Sequence, residues 1–391
     1  MLRVIHISLI VAIMICFISF ASVTFASPLV SPMEQVVKVQ LEELDLKQLE
    51  RTLSGLDADI QAQLPSLELG QLMRGGSGIE WGRLGRDLLA YLFREVVANS
   101  RLMVQLIVLA IVAAVLQKLQ TAFVFSDTMD VSLASCLLLL IYIAVNSFQL
   151  AVAAGVGAID TMTSLMYALL PLLSTTLAAV GGLTSAALMH PLLMTAVGMM
   201  GVLVQRVVFP LLQIAIVLAI VGNLFQGFPV RRLANLLERS GSLLLGTAFV
   251  AFAAMIIARG MLAPVADGVT IRAAKYLGGK IVPVLGNTFA QALDVAVGGS
   301  LLIKNALGMF GLCAILIIVT FPLVKIVALL LIFRVVTALV EPISDARLVS
   351  AMTSCGNVLA IVFVAVMTVA LMLFLTITVM VGMGNLTATI R

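Results

Sequence analysis

The chain has 391 residues, of which 62% are hydrophobic and only 11% are charged, and its mean hydropathy is +1.19. A soluble protein of this size needs roughly a quarter of its residues charged to cover its surface, so the composition argues against a soluble fold. It indicates an all-α polytopic membrane protein. The net charge of +4 comes from scattered basic residues without interleaved aromatics, which argues against a nucleic-acid partner and fits a lipid bilayer.

Residues 1–26 have the pattern of a secretory signal peptide. Arg3 precedes an apolar run from about Ile7 to Phe20, and small residues stand at Thr24 and Ala26, before the expected cleavage point. A retained first membrane span is the alternative. Either interpretation places the following region on the extracytoplasmic side.

Residues 27–101 form a polar region, with 8 Lys and Arg and 11 Asp and Glu, whereas residues 102–391 hold 14 and 8. The region is predicted to be helical and extracytoplasmic. Its helical pattern includes an apolar stripe formed by Leu49, Leu53, Leu56, Ile60 and Leu64. The stripe is expected to pack against a neighbouring helix of the same region, against the membrane surface or against another protein. A glycine-rich linker at 74–78 breaks the region, and Trp81 and Tyr91 beyond it suit the level of the lipid headgroups.

Residues 102–391 form the multispan membrane domain, with about eight to nine transmembrane helices. The apolar runs lie near 102–117, 131–154, 161–180, 184–204, 207–224, 241–258, 305–321, 323–340 and 357–383. Residues 262–303 are amphipathic or re-entrant. The loop 225–240 carries three arginines and one glutamate, so it is predicted to face the cytoplasm.

An internal repeat relates residues 160–258 to residues 272–373. Phe209-Pro210-Leu211 matches Phe321-Pro322-Leu323, and the surrounding Pro and Arg…Gly matches follow in the same order. Coincidence in a leucine-rich chain is the alternative. The loop 341–349 has an acidic bias and its counterpart a basic one, which predicts an inverted repeat with the two loops on opposite sides of the membrane.

Two segments of the domain, 171–193 and 283–304, are apolar but rich in helix breakers. Broken backbone at bilayer depth must be sheltered by protein or water, so these segments are predicted to lie inside the bundle, lining or bracing a pathway. A tight hairpin of small residues is the equal alternative. The candidate residues are Pro171, Gly181, Gly182, His190, Pro191, Pro283, Gly298 and Gly299.

Few residues offer chemistry. No catalytic, phosphate-binding or metal-ligating spacing is present, so we expect no enzyme, no cofactor and no metal. His190 is interpreted as a hydrogen-bonding group at a helix end rather than a proton relay, and Asp267 as the cap of a helix over 267–276. Lys304 is expected to snorkel from a span end. Arg334 is the candidate buried charge, with Asp294 as its partner.

Several long stretches resemble the stage III sporulation protein AE family of endospore-forming Firmicutes. They are LLPLLSTTLAAVGGLTSAALMHPLL, VVFPLL, VADGVTIRAAKYLGGKIVPVLGNTF and the final GNLTATIR. The resemblance implies a multispan, permease-like component of a secretion-like channel complex joining mother cell and forespore, in the mother-cell membrane. It further implies partners from the same operon, including an ATPase and ring-forming membrane proteins, and it assigns no catalytic residue. A stand-alone secondary transporter of a small solute is the alternative, and a purely scaffolding role is a third.

Overall fold

A computed structural model describes residues 47–55, 81–122, 126–224, 230–281, 286–344 and 346–390. Every regular element in these ranges is helical, which confirms the all-α class. The helices are α1 Lys47–Ser54, α2 Trp81–Ala98, α3 Ser100–Ala122, α4 Ser126–Ala179, α5 Leu183–Leu203, α6 Phe209–Leu224, α7 Val230–Ile281, α8 Gly286–Val340 and α9 Ala346–Ile390. The signal peptide and the glycine-rich linker lie outside the described residues and stay predictions.

Five helical stretches in the described ranges are long and apolar enough to cross a membrane. They are Leu138–Ala179, Leu183–Gly222, Val230–Gly260, Val295–Val340 and Ala346–Leu386. The pair Leu88–Ala98 and Ser100–Leu116, bent by 50°, brings the number to six if it counts as one span. These numbers agree with a multi-pass membrane protein, but they do not confirm the predicted eight to nine spans.

The structure has fewer spans than predicted because neighbouring apolar runs belong to one helix. Runs 131–154 and 161–180 both lie in α4, and 305–321 and 323–340 lie in α8, which continues through Pro322. A five-residue π-helical turn, Val204–Val208, joins α5 to α6 without a break. A proline inside a packed membrane helix frees one carbonyl without ending the helix, because neighbouring groups compensate.

The long helices exceed the thickness of one bilayer. Four of the apolar stretches have 40 to 46 residues, or about 60–70 Å at 1.5 Å per residue, whereas the hydrocarbon core is about 30 Å thick. Near the middle of two of them, Gln205 Nε2 donates to Asp160 Oδ1 at 2.7 Å in an exposed position. This polar pair divides each stretch into two apolar halves, which explains why the sequence alone predicts two spans.

Three long helices, α4, α7 and α9, run in one direction, and α5–α6 and α8 run in the other. At the starts of α7 and α9, Arg231 Nη2 donates to Ser350 Oγ at 3.4 Å. Further along the same two helices Gly260 packs against Val379. The helices α7 and α9 are therefore parallel.

The parallel course of α7 and α9 corrects the prediction of an inverted repeat. The described starts of these helices, Arg231 and Ser350, lie side by side at the same end of the bundle. The prediction depended on acidic residues in loop 341–349, and Asp and Glu contribute little to membrane orientation. The duplication itself stays a prediction. Residues 230–240, interpreted as a loop, form the first three turns of α7.

Part of the predicted polar region packs onto the membrane helices. Leu49 on α1 is fully buried in the main hydrophobic core. Tyr91 on α2 stacks edge-to-face on Phe321 of α8, with ring centroids 5.0 Å apart and planes at 89°. The contact of Tyr91 is thus with a core helix rather than with headgroups alone. The other stripe residues have no described side chains.

Candidate functional site

The interruption predicted within 171–193 is confined to three residues. The helix α4 continues through Pro171 to Ala179, the chain turns at Val180–Gly182, and α5 begins at Leu183. Gly181 has a φ of 105°, the single positive φ in the described ranges. That conformation strains any residue with a side chain, so the sequence needs glycine there. The arrangement is a hairpin of two antiparallel helices, which the sequence offered as an equal alternative to a pathway-lining segment.

The first turn of α5 has no cap of its own, because its N-cap residue is Gly182. Asp267, from α7, supplies the missing acceptors. Its Oδ1 accepts the main-chain N–H of Thr184 at 2.9 Å, and its Oδ2 accepts the N–H of Ser185 at 3.1 Å and the Ser185 hydroxyl. These two N–H groups are the ones that an N-cap side chain normally satisfies.

The carboxylate of Asp267 is 1% exposed, so its charge is compensated by protein alone. Two main-chain N–H groups, one hydroxyl and the positive end of the α5 dipole converge on it. The sequence had suggested that Asp267 caps a helix beginning at its own position. It cannot, because α7 runs unbroken from Val230 to Ile281 and position 267 lies inside it.

His190 lies between the two helices of the hairpin. Its Nδ1 is 3.1 Å from the Oγ of Ser174 on α4. The Ser174 hydroxyl donates to the carbonyl of Leu170 at 2.7 Å, which leaves its oxygen free to accept a hydrogen bond from His190. His190 therefore ties α5 to α4 from within α5. Pro191, beside it, is exposed and inside α5.

Lys304, on α8, is fully buried rather than snorkelling. Its Nζ donates to the carbonyl of Val381 on α9 at 3.0 Å, its one hydrogen bond within the described part of the chain. Gly384 makes room for it, because a methyl group there would collide with Nζ. Asn305 and Asn385, next to these residues in the sequence, each have a buried Oδ1 without a hydrogen-bond partner among the described residues.

These polar groups share one end of the bundle. Gly311 on α8 packs against Leu169 of α4 and Ile377 of α9, which fixes the relative level of the three helices. Counted from that level along the helix directions, six of the nine buried polar or charged residues that the structure describes lie toward the end that carries the hairpin turn. They are Ser174, Thr176, Ser185, Asp267, Ser300 and Lys304. We call this set the polar end.

The described part of the second predicted segment, 283–304, lies within α8 and forms no turn like that at Val180–Gly182. The helix α8 begins at Gly286 and continues through Gly298, which is half-buried, and Gly299, which is buried. Pro283 and the side chain of Asp294 lie outside the described residues. Arg334 is exposed, not buried, and its Nη2 donates to Asn357 Oδ1 at 2.9 Å. Arg334 therefore pairs with the neutral amide of Asn357 on α9 and not with a buried carboxylate.

Sequence reasoning named the glycines and His190 but missed the roles of Asp267 and Lys304. The sequence signal for both roles is a charged residue in an apolar stretch. Burial of such a residue costs free energy unless it has a partner. Among the side chains that the structure describes, no group of three His, Cys, Asp or Glu could hold a metal ion. The groups of the polar end form hydrogen bonds between helices. These bonds join α4, α5 and α7 at one point and α8 and α9 at another.

Comparison with known proteins gives one consistent result. The family model described as Stage III sporulation protein AE matches residues 66–384. Stage III sporulation protein AE of Bacillus subtilis (strain 168) is 37% identical over 302 residues, which cover 77% of this chain and 76% of the relative. No solved structure matches. The chain, with its five long apolar helices, belongs to the stage III sporulation protein AE family, a family of sporulation proteins.

Proposed function

We propose that this protein is the multispan membrane component of a channel or secretion-like complex between mother cell and forespore, needed for forespore development after engulfment. Family membership supports the sporulation role. The long apolar helices support a place within a membrane rather than beside it. In this proposal the protein resides in the mother-cell membrane that surrounds the forespore.

The observation that carries the proposal is the capping of α5 by Asp267. A buried carboxylate from α7 holds the glycine turn between α4 and α5, so three helices are fixed to one another at the polar end. A rigid end that is rich in hydrogen-bonding groups suits a framework that braces an opening. In this proposal the turn is the brace, and the buried groups of the polar end hold the helices together beside the path.

The proposed partners are other products of the stage III sporulation operon, including an ATPase and ring-forming membrane proteins. A stand-alone secondary transporter of a small solute that rocks its two repeats is the alternative; the parallel course of α7 and α9 argues against an inverted form of it and leaves a parallel form open.

The test is made in sporulating cells that carry Gly181→Leu or Asp267→Ala in place of the wild-type protein. We expect both variants to accumulate in the membrane around the forespore and to reduce forespore gene expression after engulfment. The matched control is Gly246→Leu, because Gly246 is exposed and a Cβ added there meets no atom within 4 Å. This control should sporulate normally.

Two outcomes would count against the proposal. Normal forespore gene expression in both variants would show that the braced turn serves folding alone. Purified protein that moves labelled metabolites into liposomes without any partner would favour the transporter instead.

A further inference from the structure

The first turns of α7 carry a basic surface that the proposed function does not use. Arg232, Asn235, Leu236, Arg239, Ser240 and Leu243 line an open groove along one face of this helix. Arg232 and Arg239 are seven residues apart, so both guanidinium groups lie on the same face, about 10 Å apart along the axis. We call this set the arginine groove.

Neither arginine of the groove has a hydrogen bond or an ion pair within the ranges that the structure describes. The nearby Glu238 is buried, so its carboxylate does not lie on the exposed face. Arg231 is turned instead toward Ser350 of α9. The exposed face of α7 therefore presents two arginine side chains without an ion pair among the described residues, together with the amide of Asn235.

An exposed apolar stripe continues from the groove along α7. Leu236, Leu243, Val250 and Ile257 recur every seven residues, and each is 47–67% exposed. They cover 21 residues, or about 32 Å, which is close to the thickness of one hydrocarbon core. Only 22% of the most apolar part of this span is buried, against 39–56% for the other four. The stripe thus has the length and exposure of a lipid-facing surface.

We propose that the arginine groove is a binding site for an anionic phospholipid. The phosphodiester group lies between Arg232 and Arg239, Asn235 donates to a phosphate or glycerol oxygen, and the acyl chains follow Leu236, Leu243 and Val250. Charge complementarity selects the headgroup, since guanidinium groups bind phosphate in a bidentate manner. The continuous apolar stripe selects a lipid over a free anion, which would gain nothing from it.

The test measures binding of phosphatidylglycerol to the purified full-length protein in a neutral detergent, by native mass spectrometry and by the rise in Tm on adding lipid. The variant Arg232→Gln/Arg239→Gln is compared with Arg206→Gln, which removes one exposed arginine from the π-helical turn between α5 and α6. We expect the double variant to bind phosphatidylglycerol at least about tenfold more weakly than the wild type. Arg206→Gln should bind like the wild type.

Further arms separate the lipid from other occupants. Phosphatidylcholine, inorganic phosphate and glycerol phosphate should neither bind with the same affinity nor displace phosphatidylglycerol. Equal protection by inorganic phosphate would make the groove a site for a free anion and overturn the proposal. So would unchanged lipid affinity in a double variant that keeps the helicity and elution volume of the wild type. A spin label at Leu243 that reports a second copy of the chain, rather than lipid, would also overturn it.

Discussion

Asp267 and Ser185 are 82 residues apart in the sequence, yet the carboxylate of the first accepts both the main-chain N–H and the hydroxyl of the second. The acceptor that an N-cap side chain would provide locally comes here from another helix. Because Gly182 is needed for close packing in the turn, it cannot also carry a capping side chain: a methyl group there would lie 2.9 Å from Leu177 Cδ1. The turn and the cap are therefore provided by different parts of the chain.

Loss of this cap should destabilise the bundle. We expect Asp267→Ala to lower the free energy of unfolding by ~1–3 kcal/mol, because two N–H groups at the start of α5 lose their partner in a buried place. Asp267→Asn should cost less, since its amide oxygen still accepts one of these bonds. Denaturant unfolding in detergent, followed by helicity, measures the difference.

Asp160→Asn is the matched control for the loss of a carboxylate, since Asp160 is exposed and bonded to Gln205. It should change the free energy of unfolding by less than about 0.5 kcal/mol. Equal stability of Asp267→Ala and the wild type would contradict the structural role of the cap.

The contact between Lys304 and the backbone of α9 predicts a specific coupling. Gly384→Ala should destabilise the wild type by ~1–3 kcal/mol, because the added methyl group collides with the buried Lys304 side chain. Lys304→Met keeps most of the volume and removes a buried charge, so it should be neutral or stabilising.

A double-mutant cycle with Lys304→Ala checks the coupling by the same unfolding measurement. In that background the space beside residue 384 is empty, so Gly384→Ala should cost little or increase stability. An equal cost in both backgrounds would show that the collision is not with Lys304, and Gly382→Ala, which meets no atom within 4 Å, controls for the change of helix propensity.

The parallel course of α7 and α9 is tested by crosslinking. In a background without the native cysteines, Arg231→Cys and Ser350→Cys should form an intramolecular crosslink, because their side chains meet at the starts of the two helices. Arg231→Cys with Thr184→Cys is the control pair, since Thr184 lies beside Asp267, far along α7 from its start. Labelling of positions 231 and 350 from opposite sides of the membrane would restore the inverted repeat.

The sequence predicted the helical class and the hairpin glycines because those signals are local. An apolar run or a Gly-Gly pair indicates local structure from a few neighbouring residues alone. The chain reverses at Gly181. The number of spans was not predictable in the same way. Asp160 lies inside α4, where Gln205 from a distant part of the chain donates to it, and the sequence does not show such a long-range partner.

The partners of Asp267 and Lys304 could not be read from the sequence for a related reason. Each acceptor or donor is more than 70 residues away, on a helix whose rotation about its axis is set by packing. The hydropathy pattern places Lys304 near the end of a span, where its amine can reach water by snorkelling. The small residue Gly384 on α9 permits a buried position instead, and only the assembled bundle brings the two together.

The close crossing of α6 and α7 predicts opposite effects for two glycines. A methyl group at Gly222 would lie 2.8 Å from the main-chain nitrogen and 3.0 Å from the Cα of Arg231, and backbone atoms cannot move aside as a side-chain tip can. We therefore expect Gly222→Ala to lower the free energy of unfolding by ~1–3 kcal/mol. Gly246→Ala, on an open face of α7, should raise it by ~0.5–1 kcal/mol through helix propensity. Because both changes add the same methyl group to a helix, a gain in stability at both positions would mean that α6 and α7 do not approach each other at Gly222.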